Sequence, residues 1–391
     1  MEAGEARVNR AAPLAGVLVA DLSRVLAGPL AAMVLADLGA EVIKVERPEG
    51  DDTRSWGPPW SASGTSTYFE AVNRNKRSVA LDLREAGDRE LARRLIARAD
   101  VLIENFRPGT MERLGLGEDE LRAANPRLVW CGVTGFGRQS ELPGYDLLIQ
   151  AVGGLMSITG DADGPPTKVG VALVDVIAGL DAAVGILAAL RERDASGLGQ
   201  RVEVSLLGAL LAGLVNQASG FLGAGAVPAR MGNRHPSIAP YESFAAADGE
   251  IVVAVGNDGQ FRALCAALGC GELPADARFA TNPARVAHRD ELAAALAPRC
   301  AARTRAELER ALSGAGVPCG PVNDVGEAFA LAQRLGLQPV VELAGGSRQV
   351  ASPIALGATP ASYRRPPPAL GADDAAVRAW LDGPPAPFAA E

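Results

Sequence analysis

Val17-Leu18-Val19-Ala20-Asp21-Leu22, the loop Ser23 to Gly28, Pro29 through Leu38, and Glu41-Val42-Ile43-Lys44-Val45-Glu46 decide the fold. The first run is apolar and of strand length. Pro29 then opens a helical segment, and Gly39 follows its end. Glu41 to Glu46 is a second strand. Strand, helix and strand at this spacing make a βαβ unit, which implies a parallel sheet with helices on its faces.

The same alternation recurs downstream. Val79 to Leu83 and Asp100 to Ile103 read as strands around a helical Gly87 to Ala99, and Leu128 to Thr134 reads as a further strand. The expected fold class is α/β, with a Rossmann-like doubly wound large domain and a smaller α/β domain. Val176 to Arg193 reads as a helix, Arg201 to Ser205 as a short strand, and Leu206 to Leu222 as one buried apolar helix. Composition shifts to Gly, Ala and Pro around Gly223 to Asn233. The expected division is a large domain over 12–225, completed by 345–391, a small domain over 226–330 with a strand at Ile251 to Val255, and a linker over 331–344. The Pro-rich tail from Gln349 is expected to wrap over a surface rather than form a core.

Composition narrows the function. The chain has 391 residues, 48% of them apolar, enough for more than one core. A net charge of -8 argues against nucleic acid as the main partner. The N-terminus lacks the apolar segment of a signal peptide, and the most apolar stretch, Ser205 to Pro228, is interrupted by Asn216, Gln217 and Ser219. No membrane association is expected. Five cysteines without a Cys-x-x-Cys pair read as reduced, buried thiols of a cytoplasmic protein. With only His235 and His288 available, neither a histidine-based triad nor a metal site is expected.

The loop Leu26-Ala27-Gly28-Pro29 lacks the three glycines of a dinucleotide fingerprint, so a nicotinamide cofactor is not expected. Basic residues gather where strands are expected to end: Arg47, then Arg74, Lys76 and Arg77, then Arg107 and Arg113 beside Asn105. As a group they would suit a multiply phosphorylated ligand; singly, each reads as an ordinary loop charge. Asp175 stands among apolar neighbours, Val171 to Gly179, just before the predicted helix. It reads equally as a helix cap or as a half-buried reactive carboxylate, with the helix N-terminus favouring its anion.

Together these stretches resemble a family. Leu22 to Pro29, Glu41 to Pro48, Asn75-Lys76-Arg77-Ser78, Glu104-Asn105-Phe106-Arg107-Pro108-Gly109 and Gly144-Tyr145-Asp146 look like class III CoA-transferases, the CaiB/BaiF, formyl-CoA-transferase-like family. The likeness continues through Gly160, Pro165 to Gly170, Asp175, Ser196 to Gln200, Gly232 to Pro236, Pro240-Tyr241 and Gly316-Val317-Pro318, nearly the whole chain. Gly144-Tyr145-Asp146 through Gly160, Ser237 to Tyr241, Ile251 to Asn257 and Gln260-Phe261 resemble the subgroup acting on dicarboxylates, of succinyl-CoA:glutarate type.

The resemblance implies that Asp175 is the catalytic residue. It implies contacts to coenzyme A near Val25, Ala27, Gly28, Pro29, Arg47, Asn105, Phe106 and Arg113, and an interlocked, ring-like homodimer. Coenzyme A thioester and a carboxylic acid would then be substrates, with no permanently bound cofactor. Arg230, Arg234 and His235 are candidates for a second substrate carboxylate, with His235 reading more as a loop organiser. Family racemases of 2-methylacyl-CoA carry a histidine where this chain has Tyr145, which weighs against that alternative. A noncatalytic CoA-binding protein is the other.

Overall fold

The computed structural model of the protein describes residues 11–62, 64–384, 386 and 388. Six strands, β1 (Leu18–Asp21), β2 (Glu41–Glu46), β3 (Lys76–Ala80), β4 (Val101–Glu104), β5 (Val129–Thr134) and β6 (Arg201–Ser205), form one parallel sheet in the order β3-β2-β1-β4-β5-β6. The opening stretch folds as its pattern predicts. β1 pairs with β2, and helix α1 (Ala27–Asp37) connects them. The chain runs outward from β1 in one direction to β3 and returns beside β1 as β4. Loops after β1 and β4 therefore diverge, and a crevice opens beyond the carboxyl ends of these strands.

The described residues fall into two compact units. One holds the six-stranded sheet and takes residues up to Gly153, then Val169–Ala224, then those from Gln338; the other takes Gly154–Lys168 and Gly225–Leu337. The second unit has an antiparallel sheet of β7 (Tyr241–Ala246), β8 (Gly249–Ala254) and β9 (Cys319–Pro321). Its core includes Phe244, Ile251, Phe261, Leu264 and Leu296.

Three local expectations need correction. β3 begins at Lys76 rather than Val79 because its cations are buried and paired. The Lys76 ammonium donates to Asp21, to the Pro29 carbonyl and to Asn73, each at 2.9 Å. Arg74 pairs with buried Asp37 at 2.6 Å, and Arg77 with Glu41 and Asp373 at 2.7 and 3.0 Å. Arg74 and Arg77 stand at the amino end of β3 and hold the sheet together, whereas the Lys76 ammonium reaches up beneath the β1–α1 loop. The apolar helix after β6 is also not continuous. It breaks into Leu206–Gly213 and Val215–Ala224, bent by 80°, with Val215 at a positive φ of 42°. The second piece buries none of its side chains, and Leu222 is 82% exposed. The tail, finally, contributes core: the helix Asp374–Asp382 places Val377 and Leu381 in the apolar cluster under β1, β2 and β3.

Two ammonium groups without access to water sit under the β1–α1 loop. Lys44 on β2 donates to the Ser23 carbonyl at 2.8 Å and pairs with Asp51 at 3.0 Å; Lys76 pairs with Asp21. Burial alone would raise the Asp21 carboxyl, but Lys76, Lys44 and the Ser23 hydroxyl together hold it below the ordinary carboxylate range. Removing one member leaves a buried charge uncompensated. Lys76→Met should therefore destabilise the fold by about 3–5 kcal/mol, read as a lower urea midpoint, whereas an exposed control, Arg84→Met, should leave the midpoint in place.

Candidate functional site

The β1–α1 loop is the first wall of the site. Val25 adopts φ of 70°, which a β-branched residue takes only under constraint. Its N–H is held by the buried Asp51 carboxylate at 3.2 Å. The Arg24 backbone is held from the other side: its N–H donates to the Asn105 amide oxygen at 2.9 Å, and its carbonyl accepts from the same amide at 2.7 Å. Asn105 thus ties the loop after β4 to the loop after β1. Behind it, Glu104 accepts the Phe106 N–H at 2.9 Å and lies beside Trp130 and Arg201; burial pushes its carboxyl up.

The second wall is helix α3 (Leu173–Ser196), which follows helix α2 (Asp146–Val152). α3 packs closely on α1 at Gly179, where an added Cβ would lie 2.6 Å from the Ala27 carbonyl oxygen. Only glycine permits that approach. Asp175 lies one turn earlier on α3, so this contact carries it to the amino end of α1. A second close approach, Gly135 against Gly144, brings the Tyr145 segment over the end of β5.

A cavity of about 140 Å³ results, lined by Val25, Ala27, Asn105, Phe106, Tyr145 and Asp175 among others. A wider groove of about 430 Å³ runs on from it, beyond β1, β2 and β3, and contains Arg47. The two share Arg24, Asp52 and Phe106.

The expected contact residues divide accordingly. Val25, Ala27, Asn105 and Phe106 stand together with Asp175, and Arg47 lies in the adjoining groove. Gly28 and Pro29 do not line either space. α1 starts at Ala27, two residues before the expected Pro29; Gly28 packs on Ser23, and the Pro29 carbonyl accepts from Lys76. No side chain caps α1. Arg113 bonds Thr110 at 2.7 Å and also lies outside both linings. Arg47 pairs with Asp52. Arg107, in the cavity wall, has no carboxylate partner among the described residues. In the second unit, Arg234 is paired with Glu242 and Asp290 at 3.1 and 2.6 Å, Arg230 donates to the Asp161 carbonyl, and His235 accepts from the Ser237 N–H at 3.0 Å.

Asp175 is not a cap. α3 begins two residues before it, and Asp175 occupies the first turn, with Ala172 at the cap position. Its half-buried carboxylate accepts no hydrogen bond from the described residues. Burial pushes the carboxyl up to about 7, and the negative charge of Asp146 adds to the effect. Desolvation therefore outweighs the helix dipole, a contribution of about 0.3–1 kcal/mol at most surfaces. Asp51, Arg24 and Trp56 also shape the site; no spacing in the sequence singles them out.

Among the described residues no three His, Cys, Asp or Glu side chains converge to hold a metal ion. The five cysteines are free thiols, four of them buried, while Cys319 is partly exposed. α3 is long and apolar enough to cross a membrane by length and composition, yet its buried face packs on α1, β5 and β6.

The model of CoA-transferase family III matches residues 14–374. A succinate–glutarate CoA-transferase of Agrobacterium fabrum is 45% identical, covering 96% of this chain and 97% of its own. An acetyl-CoA:oxalate CoA-transferase of Acetobacter aceti is 41% identical, covering 94% and 95%. The crystal structure of a CaiB/BaiF family protein from Brucella suis superposes with a TM-score of 0.87 at 44% identity, covering 95% of this chain and all of the other.

The α1–α3 contact gives a direct test. Gly179→Ala should lower the urea midpoint by an amount equivalent to about 1–3 kcal/mol, since a backbone carbonyl blocks the new methyl. Gly220→Ala, where an added Cβ meets nothing within 4 Å, should not.

Proposed function

The chain belongs to CoA-transferase family III, and we propose that it moves coenzyme A from a donor such as succinyl-CoA to a second, dicarboxylic acid, with Asp175 as nucleophile. The observation that carries this reading is an unbonded, half-buried carboxylate, pushed up to about 7, at the crevice beyond β1 and β4. A perturbed carboxylate in a cleft marks a reactive group. The groove leading from it past Arg24 and Arg47 supports the placement of coenzyme A there.

Exchange of coenzyme A between two acids is nearly thermoneutral, so no ATP is consumed. The Asp175 carboxylate attacks the thioester carbonyl of the donor; the C–S bond breaks, giving a mixed anhydride and CoA thiolate. The thiolate attacks the aspartyl carbonyl, expels the donor acid as its carboxylate, and leaves an aspartyl-CoA thioester. The acceptor carboxylate attacks that thioester, and the same two steps in reverse give the new acyl-CoA and free Asp175. The thioester route divides one difficult exchange into easier ones. Coenzyme A enters as a substrate thioester, and the chemistry calls for no resident cofactor.

Two further parts of the reading go with it. The sheet order is that of Rossmann-like doubly wound domains. The exposed apolar side chains Leu211, Val215, Phe221 and Leu222 favour a homodimer, interlocked and ring-like as the family resemblance implies, in a soluble cytoplasmic enzyme. Racemase chemistry would need a proton-transfer histidine where this chain has Tyr145.

Incubation with succinyl-CoA followed by hydroxylamine should convert Asp175 to a hydroxamate, seen by mass spectrometry on its peptide. Asp175→Asn should lose at least about 10³-fold in turnover; full activity without any adduct would sink the mechanism. Succinyl-CoA offered with C4 to C6 dicarboxylates should yield the corresponding acyl-CoA from at least one of them.

Attack requires the ionised carboxylate. The single-turnover rate of adduct formation should therefore rise through pH 7 and level off above pH 8. The folded value of about 7 lies above the ordinary 3.8, so ionising Asp175 costs the folded state stability as pH rises between these values. Asp175→Asn should accordingly gain stability over wild type at pH 8 and lose that advantage near pH 4, checked by urea unfolding at both.

A further inference from the structure

We propose that Asp146 is a positioning residue for Asp175: it caps the helix that carries Asp175, and so fixes where that helix presents the carboxylate to the cavity. The inference rests on reading Asp175 as the nucleophile. The first turn of any helix leaves backbone N–H groups without partners. Here Ala172 at the cap position makes no side-chain bond. Asp146 supplies the missing acceptor from another helix: its Oδ1 accepts the Val174 N–H at 2.9 Å.

The other carboxylate oxygen is fixed in turn. Asp146 Oδ2 accepts from Gln150 Nε2 at 2.6 Å, one helical turn along α2. Gln150 is fully buried, and its Oε1 accepts the Val169 N–H at 2.9 Å. The pair Asp146 and Gln150 thus clamps the chain entering α3 at Val169 and Val174. Gly179 fixes α3 on α1 from the far side of Asp175. Held at both ends, the helix presents Asp175 at a fixed place in the cavity wall.

Asp146 also acts through its charge. The titratable and charged groups around Asp175 are Asp146 on α2, Tyr68 on the short helix Thr67–Glu70, and Arg24, Asp52, Arg107 and Tyr145 in the cavity wall. α1, β5 and helix α4 (Leu206–Gly213) present only uncharged side chains to that cavity, such as Ala27, Thr134 and Leu206. Of the charged groups, Asp146 adds to the burial that raises the Asp175 carboxyl. A single residue therefore fixes the helix that presents the nucleophile and keeps the nucleophile basic.

Two substitutions separate these effects. Asp146→Asn still caps but carries no charge. Its midpoint for adduct formation from succinyl-CoA should fall by about half a pH unit or more, a shift that a purely structural residue would not produce. Asp146→Ala removes the cap, and its kcat should fall at least about tenfold while KM for succinyl-CoA stays within about twofold. If Asp146→Ala fails to fold, the pH profile of Asp146→Asn decides alone. An unchanged midpoint in Asp146→Asn, or a wild-type kcat in Asp146→Ala, overturns the inference when Asp175→Asn is inactive. An active Asp175→Asn overturns the nucleophile reading and this inference with it.

Discussion

Buried ion pairing beneath one loop is the constraint on which the site depends. Lys44 and Lys76 reach up from neighbouring strands into a space closed to water, and Asp21 and Asp51 neutralise them. Between them these four side chains satisfy the backbone of the β1–α1 loop: the Ser23 N–H goes to Asp21, the Ser23 carbonyl to Lys44, the Val25 N–H to Asp51 and the Pro29 carbonyl to Lys76. Ion pairs of this kind are poor sources of net stability, because desolvation offsets their attraction. Their effect here is geometric. They hold Val25 in a left-handed conformation that no local preference would select, and they fix where α1 begins.

From that fixed point the second wall follows by packing. α1 is rich in small side chains, and Gly179 lets α3 approach until backbone meets backbone. The register of that contact sets Asp175 near the amino end of α1. The loop after β4 closes the third side because Asn105 mates with both polar groups of the Arg24 backbone. The site is thus assembled from three elements distant in sequence, two held by buried contacts and the third by the paired hydrogen bonds of Asn105. None of the three depends on a flexible surface side chain.

How much of this was legible in the sequence depended on the reach of each interaction. The βαβ unit was legible because Val17 to Glu46 carries its own periodicity and its own Pro and Gly punctuation. The start of β3 was not, because Lys76 and Arg77 read as surface charges until their partners, Asp21 and Asp373, are known to lie beside them. The same long reach hid the role of Asp146, whose cap donor lies 28 residues further along. Asp175 showed the opposite failure. Its position near a helix start suggested a cap, a local rule, yet the helix begins two residues before it, and Ala172 holds the cap position. The break at Val215 likewise has no breaker residue of its own; Gly213 alone hints at it.

The elevated Asp175 carboxyl bears on more than the fraction ionised. On the proposed route the mixed anhydride holds two carboxylates, and a thiolate that attacks either carbonyl expels the other. The less basic carboxylate is the better leaving group. An ordinary substrate acid ionises at about 4, whereas burial and Asp146 push Asp175 up to about 7. Thiolate attack on the aspartyl carbonyl, which expels the substrate acid, is then favoured over attack on the acyl carbonyl, which expels Asp175. The anhydride formed from the donor is carried forward to the aspartyl thioester instead of reverting. In the second half of the cycle the same bias opposes product formation. Relief must then come from the acceptor side, by binding that lowers the basicity of the departing Asp175.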